Sequence, residues 1–298
     1  MAEGMRVVVA GGTGLVGRHL AEALAREGAE VRILSRRPGQ PYSWDDLPRA
    51  LEGAGAVVNL AGEGIADRRW TASRKEAILR SRVEATERLV AAMGALPSPP
   101  SVLVNASAVG IYGPMDGRPV DEGREPGKGF LAKVCRQWEA AADGALALGV
   151  RVVKLRLGVV LARDGGALPK MAFPVRMFQG AKLGHGQQGL SWIHVDDLSR
   201  LVLAALGDPA YAGPVNATAP RPVTNETFTR ALARRLHRPL LPVPGFVTRT
   251  ALGALFGEMG REMLLEGAFV YPRRAQELGF AFRFERVEDA LADLLDPA

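Results

Sequence analysis

Val7-Val8-Val9-Ala10-Gly11-Gly12-Thr13-Gly14-Leu15-Val16-Gly17, running on into Arg18-His19-Leu20-Ala21-Glu22-Ala23-Leu24, is the stretch from which this 298-residue chain is best read. A β-branched run enters a glycine-rich turn, and a segment with apolar residues at three- and four-residue spacing leaves it. That is the pattern of a buried strand, a tight turn and the N-terminus of a helix. The glycines stand at 11, 14 and 17, a G-x-x-G-x-x-G spacing rather than G-x-G-x-x-G. Gly11 permits the turn, Gly14 lets backbone approach a pyrophosphate, and Gly17 lets the helix pack closely. Unpaired N–H groups at a helix start favour an anion. With a strand before it and a helix after it, the turn reads as a dinucleotide site rather than a merely flexible loop. Its candidate contacts are Gly11, Thr13, Gly14, Leu15, Val16 and Gly17.

Outward from the turn, the pattern predicts a helix over 15–26 closed by Gly28, then a strand over 30–35. At the end of that strand stand Ser35, Arg36 and Arg37. An acidic residue at this place would bond the ribose diol of NAD and repel a 2′-phosphate. A guanidinium pairs with that phosphate through charge-assisted bonds. Read with the glycine turn, the pair of arginines favours NADP(H); an ordinary solvated pair is the alternative.

Further strands are expected over 56–63, 102–106 and 151–160, with helices over 71–93 and 130–148 between them. Asp45-Asp46-Leu47 suggests a short helix, and Ser73-Arg74-Lys75-Glu76 has capping-box spacing. Strand and helix alternate, which implies an α/β, Rossmann-type doubly wound parallel sheet with ligands beyond the strand C-termini. Those termini are Gly11, Ser35, Leu60–Gly62, Ala106-Ser107 and the region of Leu157. Arg82 lies inside the long helix, where it is either a surface charge or a group reaching the cofactor phosphates. After 164 glycines and prolines punctuate a loop-rich stretch. Trp192-Ile193-His194-Val195-Asp196-Asp197 follows, with Asp196 or Asp197 expected to cap the next helix. Helices are expected near 225–236, 246–255 and 287–295. The expected organisation is a cofactor-binding core over 1–164, rejoined by about 190–220. A smaller, mostly helical C-terminal substrate lobe takes 165–189 and 221–298.

Composition narrows the function classes. The hydrophobic share of 47% and charged share of 23% are those of an ordinary globular chain. The net charge of +6 comes from 32 arginines and six lysines, scattered without a basic block. Solvated surface therefore fits better than nucleic-acid binding. Cys135 is the only cysteine, and His19, His185, His194 and His237 lack ligand spacing, so no metal site is expected. The first strand begins too early for a signal peptide, and no apolar run approaches the roughly 20 residues of a membrane span. The expected protein is cytoplasmic, a monomer or homodimer, with a small-molecule substrate and no nucleic-acid or membrane partner.

Taken together, Gly11-x-x-Gly14-x-x-Gly17, Asn59-Leu60-Ala61-Gly62 and Trp192-Ile193-His194-Val195-Asp196-Asp197 resemble the extended short-chain dehydrogenase/reductase superfamily. The resemblance is closer to its "epimerase family" subgroup, sometimes labelled cell-division-inhibitor-like. It is carried by Glu63 with Arg69-Trp70, by Ser81-Arg82-Val83 with Thr86, and by Ser107-Ala108-Val109-Gly110-x-Tyr112-Gly113. Phe130-Leu131-Ala132 with Val134-Cys135 and Trp138-Glu139 adds to it. The segment from Met263 to Phe280 resembles the C-terminal domain of unknown function attached to that subgroup. The resemblance implies NADP(H) contacts at the matching glycines, at Ser35 and Arg36, at Leu60 and Ala61, at Arg82 and at Ala106 to Ala108. Gly62, Glu63 and Leu157 complete the set at the neighbouring strand ends.

One departure matters more than the matches. The superfamily's catalytic pair is Tyr-x-x-x-Lys on a helix, where the lysine lowers the tyrosine pKa. Here Tyr42, Tyr112, Tyr211 and Tyr271 are followed four residues later by Asp46, Asp116, Val215 and Ala275. Aligning the family helix puts Leu131 in the tyrosine position and Cys135 in the lysine position, a substitution the subgroup shares. Ser107 occupies the family's serine position, and Tyr112, in a glycine-flanked loop, is the alternative acid. Glu63 is expected in a salt bridge with Arg82 or Arg69, and Trp70 and Trp192 line a pocket or belong to the core. Two functions follow. One is an NADP(H)-dependent oxidoreductase or epimerase acting on a small carbonyl or nucleotide sugar with an unconventional acid. The other is a non-catalytic NADP(H)-binding sensor or partner-binding protein.

Overall fold

A computed structural model of the chain describes residues 4–36, 39–115 and 117–296. Its centre is a parallel sheet of six strands. β1 (Arg6–Ala10) is flanked by β2 (Glu30–Leu34) on one side and β3 (Ala56–Asn59) on the other. Beyond β3 lie β4 (Val102–Ala108), then Arg151–Leu157, then Gly213–Ala217. The chain runs outward from β1 to β2 and then returns to the opposite side of β1 for β3. That reversal opens a crevice above the C-termini of β1 and β3, where such sheets hold ligands.

The sheet is buried on both faces because its strands carry apolar residues at successive positions. Val7 and Val9 of β1 face one layer, where Leu20 and Leu24 of α1 (Leu15–Arg26) meet Leu198, Leu201 and Val202 of the helix Val195–Gly207. Val8 and Ala10 face the other layer. It holds α2 (Leu47–Leu51), Leu89 and Met93 of α3 (Ala72–Gly94), and Ala142 of α4 (Phe130–Asp143). A further core gathers Leu168, Val175, Trp192, Phe228, Leu232 and Leu291 from the C-terminal half, where helices Asn225–Arg235, Gly245–Phe256 and Val287–Leu295 follow one another with one short strand, Phe269–Val270, before the last.

Several local expectations are corrected. The strand expected over 151–160 breaks at Gly158, whose N–H bonds the Ala217 carbonyl at 3.0 Å while that of Val159 bonds Ser191 at 2.8 Å. The chain thereby leaves the main sheet for a small one formed by Val159–Ala162, Gly165–Gly166 and Trp192–His194. A Cβ at Gly158 would stand 2.8 Å from the Ser191 carbonyl oxygen, so the switch needs glycine. The stretch read as loop after 164 contains the helix Ala167–Arg176 despite Pro174 inside it. α3 is capped by Thr71, whose Oγ1 accepts from the Arg74 N–H, rather than by the box at Ser73. His194, not Asp196 or Asp197, caps Val195–Gly207, its Nδ1 accepting from the Asp196 N–H. Asp197 is spent elsewhere, accepting from the backbone N–H groups of Arg283 and Phe284.

Candidate functional site

The glycine turn stands at the mouth of the crevice. Gly11 has a φ of +78°, and a Cβ on it would lie 2.9 Å from the Leu60 carbonyl carbon. The turn therefore presses directly on the end of β3. A Cβ on Gly17 would stand 2.5 Å from Gly12 Cα, so the first turn of α1 packs on the loop itself. Gly14 differs. Its φ of −75° suits any residue, it is exposed, and a Cβ there would meet only the Gly11 carbonyl oxygen, at 3.2 Å. It caps α1 without a side chain, and that helix has no acidic residue in its first turn. The N–H groups of Leu15, Val16 and Gly17 thus begin a helix whose positive end is open to an anion.

Beside the turn, Thr13 Oγ1 and Ser35 Oγ lie 3.0 Å apart, tying the loop to the end of β2. Ser35 is buried and Arg36 is exposed immediately after it. Arg37 lies outside the described residues. At the end of β3, the buried Asn59 donates to Thr86 Oγ1 and to Asn105 Oδ1, while its own oxygen accepts from the Ala61 N–H. These bonds hold Leu60, Ala61 and Gly62 in a tight exit from the strand. Gly62 lies against Arg82, whose guanidinium donates to the Ile78 and Glu63 carbonyls and sits 5.1 Å over the Trp138 ring. Burial lowers the Arg82 pKa to about 10. Arg82 therefore braces the crevice wall from inside. The Glu63 carboxylate pairs with Arg74, not with Arg82 or Arg69.

The far wall is a buried polar network. Ser107, near the C-terminus of β4, donates to Glu139 Oε1 at 2.7 Å. Arg156 grips the same carboxylate with two bonds of 2.9 Å, and its third arm donates to the Tyr112 hydroxyl at 2.9 Å. Tyr112 in turn donates to Asn216 Oδ1 at 2.7 Å. None of the four is more than 6% exposed: Ser107 1%, Tyr112 1%, Glu139 6% and Arg156 5%. Tyr112 stands in the tight helical turn Val109–Tyr112, not in an open loop, and burial raises its pKa. Ala106 is buried, whereas Ala108 and its register partner Leu157 are half-buried at the sheet edge of the crevice.

Leu131 and Cys135 lie on α4 one turn apart, with Glu139 one turn further. The N–H groups of Phe130 and Leu131 both donate to the Glu262 carboxylate at 3.1 Å, so a residue from the C-terminal region caps the helix that Gly129 leaves bare. Burial pushes the Cys135 thiol up to about 11. It is neutral at pH 8, and a thiol reagent is expected to label the native chain negligibly and the denatured chain once. Stoichiometric labelling of the native chain at pH 8 would overturn that assignment. Trp70 and Trp192 are both buried, donating to the Ile65 and Arg221 carbonyls, so neither is an open pocket wall. His194 stacks on Phe284 with ring centroids 3.9 Å apart and lies 3.2 Å from Asp293. Among the described residues no cluster of three metal-ligating side chains occurs.

Sequence reasoning missed Glu139, Arg156 and Glu262 as parts of this arrangement. The first two had a faint signal: each stands between apolar neighbours, Trp138-Glu139-Ala140 and Leu155-Arg156-Leu157, in elements that carry other charges as well. Glu262 had none.

The chain is similar to known proteins along nearly its whole length. The family model described as NAD dependent epimerase/dehydratase family matches residues 7–217, and a domain of unknown function, DUF1731, matches 243–294. The chain is 42% identical to the chloroplastic epimerase family protein SDR39U1 homolog of Arabidopsis thaliana, over 98% of this chain and 87% of that one. It is 36% identical to the epimerase family protein YfhF of Bacillus subtilis, over 98% of both. Among solved structures, human epimerase family protein SDR39U1 with NADPH superposes with a TM-score of 0.89 at 37% identity, over 97% of this chain and 99% of that one. A nucleoside-diphosphate sugar epimerase from Corynebacterium glutamicum gives 0.81 at 35% identity, over 98% of this chain and 58% of that one.

Proposed function

The chain belongs to the NAD dependent epimerase/dehydratase family, and on that footing we propose that it is an NADP(H)-binding oxidoreductase or sugar-nucleotide epimerase-like enzyme that works without a Tyr-x-x-x-Lys pair. The observation that carries the cofactor half is Gly14. It is an exposed glycine with ordinary backbone angles and almost nothing of the protein beside it, at the open end of α1. A side chain there is incompatible with a pyrophosphate lying on the N–H groups of Leu15, Val16 and Gly17, with Thr13 beside them. The adenosine 2′-phosphate falls to Arg36 and Arg37, with Ser35 at the strand end. Leu60, Ala61, Gly62 and Glu63 line the crevice on the β3 side with Arg82 behind them; Ala108 and Leu157 line it toward the sheet's far half, with the buried Ala106 and Ser107 behind them. The human relative solved with NADPH supports the same cofactor.

When bound, the nicotinamide supplies or accepts a hydride. The chain's own share is orientation, which accounts for much of the rate in such transfers. Ser107 and Tyr112 stand at that end of the site as hydroxyls, but their protons are committed to Glu139 and Asn216. We assign them to holding the wall rigid against a small carbonyl or nucleotide-sugar substrate. The same commitment, with Leu131 and the neutral Cys135 at the pair positions, favours a second reading, a non-catalytic NADP(H)-dependent sensor.

Titration with NADPH and NADH tests the cofactor half. Arg36→Asp is expected to weaken NADPH by roughly 10-fold or more, the worth of a charge-assisted bond, and to leave NADH within about twofold. Equal losses for both would overturn NADP(H). A panel of small carbonyls and nucleotide sugars then separates the readings: NADPH consumption supports the enzyme, and binding without turnover across the panel supports the sensor.

A further inference from the structure

Charge is unevenly placed along this chain. Residues 165–195 contain Lys170, Arg176 and Lys182 and no Asp or Glu, and residues 227–257 contain Arg230, Arg234, Arg235, Arg238 and Arg249, again with no acid. The two stretches together carry a formal +8, against +6 for the whole protein. The fold stitches them side by side. The Leu241 N–H bonds the Gly180 carbonyl at 2.8 Å, the Gly184 N–H bonds Thr248 Oγ1 at 2.9 Å, and the Arg238 guanidinium lies 4.6 Å over the Phe178 ring. Arg176, Lys182, Arg234, Arg238 and Arg249 have no ion pair among the described residues.

Among the described residues, the same two stretches hold seven of the eight exposed large hydrophobic side chains, Leu146 being the exception. Phe173 is 65% exposed, Phe246 73% and Leu255 66%. The helix Gly245–Phe256 has no buried residue at all, although its sequence, Gly-Phe-Val-Thr-Arg-Thr-Ala-Leu-Gly-Ala-Leu-Phe, is mostly apolar. A surface helix of a globular protein ordinarily buries an apolar stripe. Here Thr248, Leu252 and Phe256 are half-buried against the chain, while Phe246, Val247 and Leu255 face outward uncovered.

We infer that this face, formed by 165–195 and 227–257, is a docking surface for an anionic membrane, on which the protein lies peripherally. Unpaired cations next to exposed phenylalanine and aliphatic side chains are the composition that binds acidic headgroups while inserting into the acyl boundary. Among the described residues no helix is long and apolar enough to cross a membrane, so the contact is with the surface. Lys170, Arg230 and Arg235 are met by Asp67, Glu226 and Asp296; a second copy is disfavoured because a two-fold axis would still set the five unpaired cations against themselves. Four of the seven exposed apolar side chains, Met177, Leu241, Val247 and Leu255, carry no ring, which favours acyl chains over bases; Phe173, Phe178 and Phe246 are the rings on which a single strand would stack, so an oligonucleotide is an arm of the test.

The test uses the full chain, sedimented with vesicles of phosphatidylcholine alone and with about 30% phosphatidylglycerol, at about 0.05 M and about 0.5 M NaCl. The chain is expected to pellet with the anionic vesicles at low salt, far less at high salt, and not with phosphatidylcholine. Phe246→Ser with Leu255→Ser, and separately Arg234→Glu with Arg238→Glu, are each expected to cut partitioning by roughly 10-fold or more, from about fivefold per cation removed near the surface. All four positions are exposed, so the thermal midpoint should not move; the lipid and salt comparisons need no variant. The inference fails if anionic vesicles pellet nothing, if neutral vesicles pellet as much, or if either double variant partitions as the parent does. It fails equally if a labelled single-stranded oligonucleotide or a second copy binds this face and vesicles do not.

Discussion

Arg156→Met is expected to lower the free energy of unfolding by about 3–5 kcal/mol, the usual consequence of removing one partner from a buried ion pair. Arg156 and Glu139 are both nearly excluded from water, and their side chains meet through two bonds of 2.9 Å. Without the guanidinium, Glu139 keeps only the bond from Ser107, and a carboxylate with one donor in the interior is poorly compensated. The Tyr112 hydroxyl also loses its donor. Urea unfolding followed by circular dichroism measures the difference. The companion variant Arg156→Met with Glu139→Leu should recover much of the loss, because an apolar pair of similar volume carries no desolvated charge. A single variant within about 1 kcal/mol of the parent would mean that Glu139 finds other partners.

Gly17→Ala and Gly14→Ala are expected to fail in different ways. At Gly17 the added methyl would stand 2.5 Å from Gly12 Cα and 2.6 Å from the Gly11 carbonyl oxygen, both backbone atoms that cannot swing aside. The turn must open, at about 1–3 kcal/mol for overpacking, so a lowered thermal midpoint and a loss of NADPH affinity of at least ~100-fold are expected together. At Gly14 the methyl meets only the Gly11 carbonyl oxygen, at 3.2 Å. That carbonyl must give by only a few tenths of an ångström, so the midpoint of the ligand-free chain should fall far less than in Gly17→Ala, while NADPH binding weakens by roughly 10-fold or more as the pyrophosphate is held off the helix start. Unchanged NADPH affinity in Gly14→Ala would remove the main support for the proposed cofactor site. A normal midpoint in Gly17→Ala would show that the loop has more room than the packing indicates.

The two glycines also mark how far the sequence could be read. Their spacing, the valine run before them and the apolar periodicity after them are short-range constraints on φ, ψ and burial, so the strand, turn and helix were legible at 6–26 within a residue or so. The helix Val287–Leu295 was legible for the same reason. Gly158 was not, because what breaks that strand is the Ser191 carbonyl, which another part of the chain delivers. The cap of Val195–Gly207 was misread because two aspartates, Asp196 and Asp197, stand just beyond His194, and Asp197 is drawn off by backbone groups at Arg283 and Phe284.

By itself the sequence determined the parallel α/β architecture, the crevice at the glycine turn, the family and the missing Tyr-x-x-x-Lys pair. Each of these is carried by residues near one another along the chain, where backbone geometry and the repeats of strand and helix leave few alternatives. Only the tertiary structure decided which partners Ser107 and Tyr112 take. Ser107, Glu139, Arg156, Tyr112 and Asn216 come from separate elements, and their meeting depends on strand order and register. It decided the charge pattern as well. Arginines that look scattered along the chain gather when 165–195 is laid against 227–257, because electrostatic fields add through space and not along sequence.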